Sequence, residues 1–306
     1  MPRRITEPSP ATHDTRCGTV AIVGIPNAGK STLLNSLVGE KVSIVSHKVQ
    51  TTRRPISGVM TEGCTQVILT DQPGLLDPKY LLHEAMREAA VRSVRGADAV
   101  LYLTPATKRT REPPPPLGSV EPRLSNLRQP VAVLVSKADQ LRPDQRGAFS
   151  PDVFLVSTRT GEGIDAVREW CFNRMPVGPH RCEPDDLSVD PVRVLVSEFV
   201  RETAFEMLHE EVPYGIAAEV TEYRETSDPV YIRVTIYVET ASQKRIVVGS
   251  AGTTIKSLGI QSRRKIEALI GTPVYLDLWV KVLPKWRSDA QALARFGLPI
   301  PKETPA

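Results

Sequence analysis

Residues 24–31 read Gly24-Ile25-Pro26-Asn27-Ala28-Gly29-Lys30-Ser31 and fit the pattern G-x-x-x-x-G-K-S. An apolar, β-branched run at residues 20–23 precedes this motif, and leucines at helical spacing follow it. In such a strand-loop-helix setting, glycines let successive backbone N–H groups point at phosphate oxygens, and the helix start adds positive potential. The motif therefore predicts a phosphate-binding loop that opens an α/β domain.

The side chains of this loop are expected to have different roles in ligand binding. Lys30 would reach the outer phosphates, and the Ser31 hydroxyl would bind magnesium. The carbonyl of Asn27 could hold a monovalent cation such as potassium against the phosphates, or Asn27 could simply tolerate the backbone of the loop. The residues predicted to contact the phosphates are Gly24, Asn27, Ala28, Gly29, Lys30, Ser31 and Thr32.

Short apolar runs recur downstream of this loop, and helix-like sequence separates most of them. The runs are residues 20–23, 67–69, 99–103, 131–135 and 153–156. This arrangement is typical of a parallel sheet that helices cover on both faces. We therefore predict a doubly wound, mostly parallel α/β domain. The proline-rich residues 108–122 cannot lie inside a helix and are predicted to form an exposed loop.

A second motif, Asp71-Gln72-Pro73-Gly74, comes at the end of the strand predicted around residues 67–70. A carboxylate at this position can reach the same metal as Ser31, usually through water. The backbone N–H of Gly74 could then sense the γ-phosphate. An Asp before Pro-Gly is, by itself, more often only a turn, but together with the phosphate loop it predicts Asp71 and Gly74 as site residues.

A third motif, Ser136-Lys137-Ala138-Asp139, ends another apolar run, where open parallel sheets bind their ligands. Guanine carries N1–H and N2–H₂ donors on one edge, and the Asp139 carboxylate can accept both, whereas adenine has no such pair. Lys137 would lie along the purine face, and Ser157 and Thr158 would close over the base. The motif indicates GTP rather than ATP, with an ordinary helix entry as the alternative interpretation.

Composition and charge describe the whole chain. Its 306 residues are 41% apolar and 24% charged, which is ordinary for globular proteins and suggests about two domains. The sequence contains neither a secretory signal nor a long apolar run, so we expect a cytoplasmic protein. Residues 241–306 hold 11 Lys and Arg against 4 Asp and Glu, a net charge of +7, which leaves −3 for residues 1–240. This asymmetry favours a polyanionic partner, either nucleic acid or an anionic membrane surface.

The pattern of the chain changes after a linker rich in proline and acidic residues. Apolar residues between positions 192 and 207 keep helical spacing until Pro213, and residues 230–238 alternate strictly, as in a half-buried strand of an antiparallel sheet. A G-x-x-G loop lies between two predicted helices, and residues 272–282 form a third strand. Loops of this type approach nucleic-acid backbones closely. The predicted RNA contacts are Lys244, Arg245, Gly249, Ser250, Ala251, Gly252 and Lys256.

The order and spacing of these motifs resemble the Era GTPases, and residues 41–59 resemble their first switch region. The order of elements in the basic domain resembles a type II KH domain, and Leu278-Trp279-Val280-Lys281-Val282 is similar to the Era C-terminal sequence. The resemblance implies a magnesium-dependent GTP switch that binds the 3′ end of 16S ribosomal RNA during small-subunit assembly. It also implies that Thr51 or Thr52 completes the magnesium site, and we favour Thr52, together with Lys30, Asn27 and Gly74, for catalysis.

Two residues depart from the Era pattern. Gln72 stands where a Thr is typical, and Ser136 stands where an Asn is typical, so the purine loses an amide contact and weaker nucleotide binding is expected. Leu75, after the glycine of the second motif, cannot hydrogen-bond water and predicts slow basal hydrolysis. Alternative functions are an RNA-binding assembly chaperone whose nucleotide site has decayed, and a P-loop ATPase or kinase.

The predicted organisation has five parts. They are a flexible tail (1–17), a GTPase domain (18–176), a linker (177–190), a KH domain (191–296) and a C-terminal tail (297–306). We expect a monomer, and peripheral contact with the cytoplasmic face of the membrane is the competing explanation of the basic charge.

Overall fold

The computed structural model describes residues 15–46, 48, 51–107 and 113–300. The first domain is built on a six-stranded sheet with the order β2-β3-β1-β4-β5-β6. Its strands are β1 (Arg16–Gly24), β2 (Ile56–Glu62), β3 (Thr65–Asp71), β4 (Ala99–Pro105), β5 (Val131–Ser136) and β6 (Val153–Val156). All neighbouring strands are parallel except β2, which runs antiparallel to β3.

Helices cover both faces of this sheet, as the apolar runs predict. The helices of this domain are α1 (Lys30–Val38), α2 (Leu81–Gly96), α3 (Leu117–Val120), α4 (Pro143–Arg146) and α5 (Ile164–Phe172). Alternate residues of β1 point to opposite faces. Val20 and Ile22 pack in the core with α1 and α5, whereas Ala21 and Val23 pack with α2. The doubly wound α/β fold is therefore confirmed.

The structure differs from the sequence-based expectation at three places in this domain. Strand β2 was not predicted as a strand. Strand β1 begins at Arg16, inside the predicted tail, and residues 1–14 lie outside the described residues. The predicted loop 108–122 contains the short helix α3, in which Leu117 is buried. Residues 108–112 of this loop lie outside the described residues. The run of prolines ends at Pro116, and α3 begins at the next residue, so no proline interrupts the helix.

The predicted linker 177–190 packs along the outer part of the sheet. Ser188 and Asp190 hydrogen-bond to Ser57 of β2, and the backbone N–H of Val59 donates to the carbonyl of Leu187. Gln66 of β3 donates to the carbonyl of Cys182 at 3.0 Å. The linker therefore covers β2 and β3 before the chain enters the second domain.

The second domain is α+β. Its three-stranded sheet has the order β7-β8-β9, and its strands are β7 (Ala217–Arg224), β8 (Val230–Val238) and β9 (Val274–Val282). Its helices are α6 (Val192–Met207), α7 (Ala241–Val248), α8 (Thr253–Ile270) and α9 (Ala290–Arg295). The even-numbered residues of β8 from Ile232 to Val238 are buried in one core with α6 and α8, as the alternation predicts.

Two expectations for this domain need correction. The sheet is mixed rather than antiparallel, because β8 pairs antiparallel with β7 but parallel with β9. The alternation of a strand reports which side is buried and carries no information about the direction of its neighbour. The predicted C-terminal tail also begins with ordered structure, since Leu298 is buried in a cluster with Trp286 and α2. Residues 301–306 lie outside the described residues.

Candidate functional site

The phosphate loop connects β1 to α1 in a conformation that its sequence explains. Gly29 is left-handed, with φ 89°, and Asn27 is left-handed, with φ 60°. At Gly24, a Cβ atom would lie 2.1 Å from the carbonyl oxygen of Leu103. Helix α1 has no side-chain N-cap and no acidic residue in its first turn. Its first N–H groups are therefore available to an anion.

Lys30 and Asp71 are the two charged groups inside the loop region. Lys30 is 6% exposed, and its Nζ donates to the carbonyl of Ile25 at 3.1 Å. Burial lowers the pKa of Lys30, and the charge of Asp71 counteracts that shift. Burial likewise raises the pKa of Asp71, whereas the charge of Lys30 and hydrogen bonds from nearby hydroxyl groups act to lower it. A phosphate near Lys30 and a cation near Asp71 would stabilise both charged forms.

Three hydroxyl groups converge on a single oxygen of Asp71. Its Oδ2 accepts hydrogen bonds from Ser31 at 2.6 Å, Ser43 at 2.7 Å and Thr52 at 3.1 Å. Its Oδ1 is buried without a hydrogen-bond partner among the described residues. An oxygen-only donor set with one free buried carboxylate oxygen fits magnesium, which prefers oxygen ligands.

The hydroxyls of the two adjacent threonines have different contacts. Thr52 Oγ1 lies 3.1 Å from Ser31 Oγ, whereas Thr51 Oγ1 donates to the carbonyl of Lys48 at 2.7 Å. The hydroxyl of Thr52 therefore points to the candidate metal site, and that of Thr51 points away. Ser43 was missed by the sequence analysis, since no local motif marks it. Its position is fixed by Asn35 of α1, whose amide bonds to both its N–H and its carbonyl.

The segment after β3 contacts the phosphate loop directly. A Cβ on Gly74 would lie 2.9 Å from the backbone of Pro26, and the N–H of Leu75 donates to the carbonyl of Gly24 at 3.0 Å. The Leu75 side chain packs in the core with α2. Gln72 points to α2 as well: its Nε2 donates to Ser93 at 2.6 Å. The Gln72 side chain therefore contacts Thr70 and Ser93 and supports the packing of β3 on α2.

The third motif lies at the end of β5, and two of its side chains contact the phosphate loop. Ser136 Oγ donates to the carbonyl of Ala28 at 2.6 Å, so this residue still connects β5 to the phosphate loop. Lys137 Nζ donates to the carbonyl of Asn27 at 3.1 Å. Asp139 Oδ1 accepts a hydrogen bond from Ser157 at 2.7 Å, which orients the carboxylate.

These motifs line one cavity of about 610 Å³. That volume is within the usual range for small-molecule sites, roughly 300–1,000 Å³. The lining includes Asn27, Gly29, Lys30, Ser31, Thr32, Thr51, Thr52, Gly74, Lys137, Asp139 and Thr158. The structure thus brings together residues that are more than a hundred positions apart in the chain.

The G-x-x-G loop forms a second candidate site in the basic domain. Gly249 has φ 76° and ψ 172°, and a Cβ there would lie 2.3 Å from Thr254 Oγ1. Helix α8 starts at Thr253 without a side-chain cap. Lys244, Arg245 and Lys256 are exposed around the loop. Ile246 of α7, which no motif marks, is 48% exposed beside Lys244 and Arg245 and adds an apolar side chain to this surface.

Helix α6 of the second domain holds the segment that carries Ser43 and Thr52. Glu202 is fully buried; it accepts hydrogen bonds from the N–H of Val45 and from Lys41, each at 2.8 Å. Arg201 donates to the carbonyl of Thr51, and Lys48 donates to the carbonyl of Phe205. These α6 residues were also missed, because only the folded chain brings them to the first domain.

One more connection leads from Glu202 to the G-x-x-G loop. Lys265 of α8, the helix that follows this loop, donates to Glu202 at 2.8 Å. Ile44 is fully buried within the core of the second domain. Lys41, Ile44, Val45, Lys48 and Thr51 therefore contact the second domain although they precede β2 of the first.

The fold and the two sites define a P-loop GTPase joined to a KH domain. The family described as "50S ribosome-binding GTPase" matches residues 19–137, and the KH domain family matches residues 211–287. GTPase Era of Afipia carboxidovorans is 38% identical over 97% of this chain and 98% of its own length. The chain belongs to the GTPase Era family.

Solved structures agree with this assignment. A point variant of Aquifex aeolicus Era bound to GDP·AlF4⁻ is 34% identical, with a TM-score of 0.82 over 92% of this chain and 99% of that chain. Era in complex with MgGDPNP and nucleotides 1506–1542 of 16S ribosomal RNA has a TM-score of 0.81, also at 34% identity, over 92% and 99% of the two chains. In the described part of the chain, no helix has the length and apolarity needed to cross a membrane.

Proposed function

We propose that this protein is a GTP-hydrolysing factor for assembly of the small ribosomal subunit, which binds the 3′ end of 16S ribosomal RNA through its KH domain. The observation that carries the proposal is the continuous cavity with Lys30 and the phosphate loop at one end and Asp139 at the other. The structure of a related Era with MgGDPNP and a 16S ribosomal RNA fragment supports both ligands.

At the phosphate end, the amides of α1 and the Lys30 ammonium would hold the β- and γ-phosphates. Ser31, Thr52 and Asp71 would hold magnesium, and Ser43 would fix the Asp71 carboxylate through its hydrogen bond. When bound, the metal ion neutralises charge on the phosphates during transfer. Gly74 lies against Pro26 of the loop, and its N–H would donate to a bound γ-phosphate.

Hydrolysis by this site would be slow without a partner. The buried side chain of Leu75 offers no polar atom to orient the attacking water. Asn27 is the candidate to hold potassium against the phosphates; its left-handed backbone, which Asn tolerates well, equally supports the simpler alternative. Faster GTP hydrolysis in potassium than in sodium would support the potassium-binding role. Equal rates would mean that Asn27 serves only the backbone conformation of the loop.

At the base end, the carboxylate of Asp139 selects guanine by accepting its N1–H and N2–H₂ donors. Replacing Asp139 by Asn should weaken GTP binding by at least about 100-fold, because a buried polar pairing is lost. The same variant should gain affinity for xanthosine triphosphate, since its amide can donate to the 2-oxo group.

Titration calorimetry with GTP, ATP and xanthosine triphosphate measures this change. Asp144→Asn is the matched control, because that carboxylate is exposed and lies outside the cavity. An Asp139→Asn protein that keeps its preference for GTP would contradict the proposed nucleotide.

On the KH side, the backbone amides of the G-x-x-G loop and the exposed Lys244, Arg245 and Lys256 would contact RNA phosphates. Crosslinking to isolated small subunits, with mapping of the RNA contact, tests the site of action. We place this action in the cytoplasm, with the protein as a monomer. The competing proposal, peripheral membrane contact, predicts retention on anionic vesicles that RNA does not reduce.

The nucleotide site and the RNA site would act on each other through α6. Thr52 lies in the segment that Glu202 and Arg201 hold, and Glu202 also binds Lys265 of α8. GTP-dependent ordering of this segment would therefore alter the contact of Glu202 with α8, the helix that follows the G-x-x-G loop. RNA affinity that is identical with GDP and with a non-hydrolysable GTP analogue would exclude this coupling.

A further inference from the structure

A cleft between the two domains has an unusual concentration of arginines. It measures about 170 Å³, and we call it the arginine cleft. Five arginines line it: Arg53, Arg54, Arg193, Arg201 and Arg295. It shares no lining residue with the nucleotide cavity. The aromatic rings of Trp286 and Phe296 also line the cleft, so the arginines lie beside apolar side chains.

The acidic residues of the cleft neutralise only part of this charge. Glu198 pairs with Arg201, and Glu219 pairs with Arg295. Arg53, Arg54 and Arg193 form no ion pair with any residue that the structure describes. The five arginines and two glutamates of the lining leave a net charge of +3, and of the three arginines without an ion pair only Arg53 is buried in the protein. Holding a charge in that position costs free energy.

Hydrogen-bond donors are also left unused around the cleft. Arg53 is 5% exposed and donates to the carbonyls of Tyr214 and Ile216, but its Nε is buried without a partner. Arg54 Nε and Arg201 Nη1 are buried without partners too, within the described residues. Burial, and next the charge of Arg201, lower the pKa of Arg53 to about 9, so it is still a cation at neutral pH.

We propose that the arginine cleft binds a phosphate group. A tetrahedral phosphate, whether an inorganic dianion or a phosphodiester monoanion, offers at least two acceptor oxygens to converging guanidinium groups, and the planar fork of arginine matches them well. The volume admits one phosphate with little else attached. Its source is either a small phosphorylated molecule or a phosphate of the RNA backbone. Because Arg53 directly follows Thr52, a phosphate bound here would lie next to the segment that completes the nucleotide site.

The test uses the full-length protein saturated with GDP and magnesium, so that the phosphate loop is already filled. Inorganic phosphate is titrated by calorimetry at constant ionic strength, with chloride as the compensating anion. We expect saturable binding that weakens about threefold in Arg54→Gln and in Arg193→Gln, and at least tenfold in the double variant. Arg181→Gln, which removes an exposed charge of the linker, should bind phosphate as the wild type does.

Two results would overturn the proposal: a GDP-saturated wild type that binds no phosphate saturably, or equal binding by wild type and both single variants. Arg193 is exposed at the start of α6, so Arg193→Gln should fold even if the double variant does not. Bound GDP is quantified separately, so a failed nucleotide site is recognised as such.

RNA titrations at several salt concentrations identify the source of the phosphate. If an RNA phosphate fills the cleft, RNA competes with inorganic phosphate, and Arg193→Gln lowers the salt slope by about one. If the source is a small phosphorylated molecule, RNA affinity is unchanged while phosphate binding falls. Either result is consistent with the proposed chemistry of the cleft.

Discussion

Thr51 and Thr52 are adjacent and chemically identical, yet their hydroxyls have different surroundings. Thr52→Ala should reduce magnesium-dependent GTP hydrolysis by at least about tenfold, because it removes an oxygen beside Asp71. Thr51→Ala removes only a bond to the Lys48 carbonyl and should change the rate much less. Single-turnover hydrolysis at several magnesium concentrations compares the two. Equal losses would mean that the hydroxyl of Thr52 is not a metal ligand.

Glu121, at the end of α3, provides a pH-dependent contribution to stability. Burial by itself would raise the pKa of Glu121, but hydrogen bonds from Arg123 and Arg87 outweigh it and lower the pKa to about 2. A lowered pKa stabilises the folded state above the unfolded value of 4.5, and this stabilisation disappears as the pH falls towards 2. Glu121→Gln should therefore cost about 3 kcal/mol at pH 7.

Urea unfolding of wild type and Glu121→Gln across a pH series measures this difference in the free energy of unfolding. Because a protonated glutamate has nearly the shape of glutamine, the two curves should meet near pH 2. A difference that stays constant between pH 7 and pH 3 would contradict the assignment.

The grouping of candidate site residues around one cavity could be predicted from the sequence where a local motif contains them. Asp71 ends the buried strand β3, Lys30 and Asp139 come a few residues after β1 and β5, and parallel strands bring their ends to one edge of the sheet. Ser43 and Glu202 could not be predicted in this way. Their roles depend on tertiary contacts with Asp71 and Val45 that no short spacing encodes.

Among the strands, predictability followed composition rather than burial, because β2 is buried at residues 56–60 and was still not predicted. Strands β1, β4 and β5 are covered on both faces and read as continuous apolar runs. Strand β2 contains Ser57 and Gly58 and lacks such a run. Ser57 is buried only because Asp190 of the linker accepts its hydrogen bonds, so the strand depends on a segment far along the chain.

The turn from α7 to α8 depends on the first glycine of the G-x-x-G loop. The backbone of Gly249, at φ 76° and ψ 172°, lies in a region that only glycine occupies readily. Gly249→Ala should destabilise the protein by about 1–3 kcal/mol and lower RNA affinity, since the Thr254 side chain must also move.

Gly252→Ala is the matched comparison for this variant. Gly252 has φ 77°, but no atom lies within 4 Å of its added Cβ. It should therefore cost less than Gly249→Ala in thermal unfolding and in RNA titration. Equal effects of the two substitutions would mean that the Thr254 contact has no influence on the loop.

For the protein as a whole, the contact between Glu202, Val45 and Lys265 should transmit nucleotide state to RNA binding. Glu202→Gln removes a buried charge between two lysines and should cost about 3 kcal/mol of stability. The ratio of RNA affinities with a GTP analogue and with GDP should fall towards one in this variant.

Glu206→Gln is the control for that experiment, because Glu206 is half-exposed and, among the residues that the structure describes, forms an ion pair with Lys265 only. Its affinity ratio should stay close to the wild-type value. If Glu202→Gln folds and keeps the wild-type ratio, the coupling uses another route.

The burial of Ile44 among residues of the other domain affects how the two halves can be studied. A shortened protein that ends before α6 would expose this isoleucine to water and would leave Lys41 and Val45 without Glu202 and Thr51 without Arg201. Kinetic constants measured on such a fragment would describe a site with a misplaced Thr52. Dissection of this enzyme therefore calls for point substitutions in the intact polypeptide.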